Sequence, residues 1–188
     1  MIIHPLPSRS RRFAIPGLSV ADRLGTALAP RLDDGHHYLR AVSIGGARAS
    51  DAILVGPGGT WALTFGVERG RFRKRNGHWY RFHRSTESWV PWDAQPVTDA
   101  RLAGYRLEQY LERAALTAAV KPCLFTVRDM EVTWEADQRP GLEVHDDGDR
   151  LAERIIRDEI LTPPQVDRIV ALLDPRQPLP RLATSPQS

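Results

Sequence analysis

A chain of 188 residues, 41% hydrophobic and 26% charged, has the size and composition of one globular domain, which excludes a wholly disordered polymer. Its formal net charge of +3 and pI of about 9.4 are compatible with nucleic acid as a partner without requiring it. No apolar run approaches the ~18 residues of a membrane span, and the stretch after Arg9, Arg11 and Arg12 is interrupted by Pro16 and Gly17, so no membrane or targeting segment is expected. The single cysteine, Cys123, sits in an apolar run and reads as a core thiol in a cytoplasmic protein.

In chain order, residues 1–16 are polar and proline-containing and read as a flexible arm. A domain over residues 17–173 follows. Ser19 is placed to cap a helix running to about Leu32, with Val20, Leu24 and Leu28 on one face and Pro30 disturbing its last turn. Tyr38 to Ser43 reads as a strand. Asp51 to Val55 and Thr60 to Phe65 are strands joined by the turn Gly56-Pro57-Gly58-Gly59. Arg69 to Lys74 and His78 to His83 flank Asn76-Gly77, a strong hairpin signal. Trp89 and Trp92, around Pro91, read as a loop packed on the sheet.

Asp99 to Ala115 carries Ala103, Leu107, Leu111 and Ala114 at helical spacing. Val120 to Val127 is a buried strand, with Pro122 near its start, and short strands follow at Glu131 to Trp134 and Leu142 to His145. Asp149 is placed to cap a helix over Arg150 to Ile160. Thr162-Pro163-Pro164-Gln165 has the form of a capping box opening a last helix, with Leu161 and Val166 as its hydrophobic staple. Residues 174–188 are rich in Pro, Ser and Gln and read as a disordered tail. The order of elements predicts an α/β (α+β) fold, a mixed sheet with a β-meander and flanking helices.

The run Asp51-Ala-Ile-Leu-Val-Gly-Pro-Gly-Gly-Thr-Trp-Ala-Leu-Thr-Phe-Gly-Val-Glu-Arg-Gly70 resembles the core of the nuclease-related domain, NERD. That family is similar to the restriction-endonuclease-like nucleases of PD-(D/E)xK type. In it, Asp and a strand are followed by Gly-Pro-x-Gly, a second strand and Glu-x-Lys. The resemblance implies a restriction-endonuclease-like core and, in active members, hydrolysis of phosphodiesters by a Mg²⁺ or Mn²⁺ ion held by carboxylates.

On the family's pattern Asp51 is retained, but the glutamate falls on Thr64 and the lysine on Gly66. The glutamate of the first helix falls on Ala21, beside Asp22, and a later glutamine falls near Asp99. The leading expectation is therefore a pseudo-enzyme with no cofactor. The alternative is an active Mg²⁺ or Mn²⁺ nuclease in which Glu68, at period-two spacing from Thr64 and Gly66, replaces the missing carboxylate and Lys74 reaches back.

The segment from Arg71 to Arg84 contains Arg71, Arg73, Lys74, Arg75, Arg81 and Arg84, interleaved with Phe72, Trp79, Tyr80 and Phe82, and no acidic residue. Cations neutralise phosphates and aromatic rings stack on unpaired bases, so these six form the candidate DNA- or RNA-binding set. The competing reading is a solvated edge hairpin whose charges prevent aggregation. A structural or protein-interaction module with no nucleic-acid role is the third possibility. His36-His37 reads as a surface turn and Asp146-Asp147-Gly148-Asp149 as a turn with a helix cap. No small-molecule cofactor motif is present.

Overall fold

The structure, a computed structural model, describes residues 1–5, 18–44, 47–48, 50–116, 119–127, 129–135 and 141–174. The first sheet contains β1 (Ile2–Ile3), β2 (His37–Arg40), β5 (Ala52–Gly56), β6 (Gly59–Gly66), β10 (Val120–Thr126) and β12 (Glu143–His145), in that spatial order. β2, β5 and β6 are antiparallel neighbours, while β1, β10 and β12 join in parallel, so the sheet is mixed.

Helices cover both of its faces. On one side α1 (Leu18–Leu28) and α3 (Gly148–Ile156) bury Leu24, Leu28, Leu151 and Ile155 against Leu54, Trp61, Leu63 and Phe125. On the other, α2 (Gln95–Arg113) and α4 (Pro163–Leu173) bury Leu107, Leu111, Val166 and Ile169 against Ile53, Val55 and Ala62. Burial on both faces explains why β5 reads Ala-Ile-Leu-Val without alternation. The α/β class expected from the sequence is the class observed.

A second sheet has the order β11 (Met130–Trp134), β7 (Gly70–Arg75), β8 (His78–His83) and β9 (Ser88–Pro91). Its inner face carries Phe72, Trp79 and Trp92, the last two packed over Ala94, Val97 and Ala100 at the start of α2. β3 (Ser43–Ile44) and β4 (Ala47–Arg48) form a small separate ribbon.

Local signals are followed closely. Asn76 and Gly77 have φ of 49° and 78°, the left-handed pair a two-residue hairpin loop requires. Thr162 and Gln165 complete the capping box, and Leu161 and Val166 are both buried. Pro122 stands in β10 where only β6 is paired with it, because β12 joins from Cys123 onward. Cys123 is fully buried, and burial pushes its thiol pKa well up.

Several expectations need correction. Residues 1–5 are no arm: Ile2 and Ile3 pair with β2, and His4 is buried, held by Asp174 at 3.0 Å and His37 at 3.1 Å. Asp174 thus belongs to the core and not to the tail, while residues 6–16 and 175–188 lie outside the described residues. α1 stops at Leu28, before Pro30, and Ser19 falls within it. The strand expected to Ser43 ends at Arg40, where Ala41 takes a φ of 52°. α2 starts at Gln95, four residues before Asp99, with Pro96 in its first turn. The cap of α3 is Asp147, whose carboxylate accepts from the Arg150 N–H at 3.0 Å; Asp149 pairs with Arg31 at 2.7 Å. His36 and His37 are buried, not in a surface turn.

Candidate nucleic-acid interface

A cleft of about 260 Å³ between the β5–β6 hairpin and α2 is lined by Ser50, Asp51, Thr64, Asp99, Ala103 and Arg106, among others. It brings together Asp51, Thr64 and Asp99, three positions singled out from the sequence. Asp51 is half-buried, and its Oδ2 accepts from the Phe65 N–H at 2.8 Å. Ser50 Oγ lies 2.6 Å from the Leu63 carbonyl, turned into the strand pair. Asp99 is exposed on the first turns of α2 and accepts from Gln95 at 2.7 Å. Arg106, which sequence reasoning did not select, reaches the same cleft from two turns further along α2; its signal was the helical spacing from Asp99.

The other matched positions are elsewhere. Ala21 is buried on α1, across the sheet from α2, and neighbouring Asp22 is ion-paired with Arg40. A Cβ at Gly66 would lie 2.6 Å from Met130 Sδ, so a side chain there requires the flexible Met130 side chain to shift. β6 ends at Gly66, so the alternation that would have carried Glu68 onto the Thr64 face stops. Glu68 instead lies beside Trp92, Arg81 and Asp93. Burial, with Asp93 nearby, raises its pKa above the ordinary carboxylate value, against the pull of Arg81. Neither Glu68 nor Lys74 lines the cleft.

These residues do not fit a catalytic Mg²⁺ or Mn²⁺ ion. Thr64 is a poor exchange for a charged oxygen ligand, Arg106 brings a like charge, and Gly66 supplies no cation where the motif has lysine. Among the described residues no group of three His, Cys, Asp or Glu is arranged to hold a metal.

The basic segment is not an edge hairpin. β11 pairs with β7 on one side and β9 with β8 on the other, so the two strands are the centre of a four-stranded sheet. β9 was missed because Pro91 and two tryptophans resemble a loop, and only its partner across the turn makes it a strand.

Alternation and pairing sort the six cations. Arg71, Arg73 and Arg75 share the outer face with Tyr80, Phe82 and Trp89. The Arg73 guanidinium lies 4.0 Å from the Trp89 ring centroid, and that of Arg71 lies 5.1 Å from the Phe82 centroid. Lys74 and Arg81 are on the inner side, beside Trp79 and Phe72. Arg84 is in the turn beyond β8 and lines a second cleft with Arg69, Arg81 and His83.

Two acidic residues of the β11 side moderate the outer face. Glu131 stands 3.7 Å from Arg71 and Glu135 stands 3.6 Å from Arg75. All four side chains are well exposed, so these pairs hold the arginines weakly.

No helix among the described residues is long and apolar enough to cross a membrane. Comparison with protein-family models, curated proteins and solved structures returns no match for the chain.

Proposed function

We propose that this protein binds DNA or RNA on the outer face of its second sheet, using a nuclease-related scaffold that no longer cleaves. The observation that carries the reading is the combination on one face of Arg71, Arg73 and Arg75 with Tyr80, Phe82 and Trp89. Arginine neutralises phosphate, and rings stack on bases.

Loss of cleavage is supported by Thr64 and by Met130 beside Gly66. Asp51 then serves the fold, tying the start of β5 to the Phe65 N–H. A cytoplasmic location and the absence of a required cofactor go with this reading.

The test is a titration of fluorescently labelled DNA and RNA oligonucleotides at two salt concentrations. Binding that weakens about ten-fold or more with Arg73→Ala and Arg75→Ala, and that falls steeply with salt, is expected. Binding indifferent to both would overturn the reading. Co-purification of a protein partner without nucleic acid would favour an interaction module instead.

A further inference from the structure

Phe82 belongs to two features at once. Its ring meets Trp89 on the outer face, with centroids 5.4 Å apart, and it also forms a wall of a cleft of about 570 Å³. Arg69, Arg81, His83 and Arg84 line the same cleft, with Asp129 as its acidic member. That volume is within the range of sites that enclose small molecules, and a nucleotide is of that size.

We infer that the ligand of this surface is an unpaired strand, whose bases cross Trp89 and Phe82 and whose backbone runs on into the cationic cleft. The inference rests on the nucleic-acid reading proposed above and specifies the form of the ligand.

The first argument is stacking. Arg73 and Arg71 lie over Trp89 and Phe82, so the face offers guanidinium planes backed by half-buried rings. Both stack on exposed bases, which only an unpaired strand provides. A duplex turns sugars and phosphates outward and leaves those rings unmatched.

The second is width. A two-stranded ribbon enters a major groove about 12 Å wide. Here β11 and β9 flank the hairpin, and four strands at about 4.8 Å spacing span about 14 Å between the outermost backbones alone, too broad for that groove. The third is charge. Glu131 and Glu135 repel a phosphate chain from the β11 side, while Arg69 and Arg84 continue the positive path past Phe82.

The experiment uses the full chain and an oligothymidylate of about 12 nucleotides, alone or annealed to oligoadenylate. Anisotropy reports affinity and tryptophan fluorescence reports stacking. The single strand should bind at least about ten-fold tighter than the duplex and should quench fluorescence, and Trp89→Phe should remove most of that quench. Arg69→Ala with Arg84→Ala, both exposed positions, should weaken the single strand several-fold and leave the quench at saturation unchanged. Equal or tighter binding of the duplex overturns this inference but leaves the proposed function standing. Binding of neither form, nor of the matching oligouridylate, overturns the proposed function itself. A single strand indifferent to the Arg69 and Arg84 changes overturns the path through the cleft.

Discussion

The Asp51 cleft and the outer face of β7, β8 and β9 are both polar surfaces on a β-hairpin, but their surroundings differ. The β5–β6 hairpin lies between two helical layers, so its side chains are crowded and a residue is retained only if it packs. Gly66 under Met130 shows the consequence: a side chain there requires Met130 to move. Among the described residues the second sheet is packed on its inner face, through Phe72, Trp79 and Trp92. Its outer face carries Arg71 and Arg73 over aromatic rings, with Arg75 further along the same strand. The lesson is that side chains of a strand between two helical layers are constrained by packing, whereas a one-sided sheet leaves a surface whose chemistry its core does not dictate.

The largest effect should come from Phe72, the fully buried residue of the basic hairpin. Phe72→Ala should cost about 3–5 kcal/mol in urea unfolding. Arg73→Ala, on the opposite face of the same strand, should cost much less in stability and act mainly on binding. Equal losses of stability from the two would remove the distinction between inner and outer faces.

Next in size is an attempt to rebuild the first site. Thr64→Glu with Gly66→Lys restores the residue types of the resembled nuclease motif, but the new side chain meets Met130. We expect destabilisation of about 1–3 kcal/mol and no cleavage of plasmid DNA with Mg²⁺ or Mn²⁺. Adding Met130→Ala should recover part of the stability. Cleavage by the doubly substituted protein, abolished by Asp51→Ala, would show the cleft to be less closed than its packing indicates.

A pH titration separates the regions in another way. His37 and His145, in the first sheet, have pKa values lowered chiefly by burial, His37 also by neighbouring His4. The unfolded chain takes up protons at these residues as pH falls past about 6.5, while the folded chain resists. Stability should therefore be lost as pH falls below about 6.5 and level off once the folded forms are protonated. His78 and His83 of the second sheet are exposed. Melting temperatures measured from neutral to mildly acid pH should fall for the natural chain and fall less for His37→Asn. An identical slope in that variant would remove His37 as a source.

The smallest effect concerns Glu131 and Glu135. Replacing both by Gln should change stability by less than about 1 kcal/mol, since their ion pairs are exposed. Oligonucleotide affinity should rise by about two- to five-fold as the opposing charge is removed. Weaker binding would mean that the glutamates position Arg71 and Arg75 for the ligand.

Features written in consecutive residues were legible. Asn76-Gly77 specifies its turn because few residues tolerate positive φ. Thr162 and Gln165 specify a helix start because their partners are three residues apart. The cleft was partly legible: Asp51, Thr64 and Asp99 line it together and Arg106 follows Asp99 at helical spacing, but Met130 reaches Gly66 from β11, whose approach no local pattern reports. Nor did alternation reveal that β6 would end before Glu68.

By itself, then, the sequence determined the α/β class, the central hairpins, the helix stripes and the composition of the basic segment, since each follows from periodicity or turn chemistry within a few residues. Only the tertiary structure decided that β1 and His4 close the first sheet, that β9 and β11 make the basic hairpin an interior pair, and that its cations divide between two faces. Those outcomes depend on which strands pair across tens of residues. Pairing is chosen by the burial and hydrogen bonding of the whole sheet, to which no single segment has access.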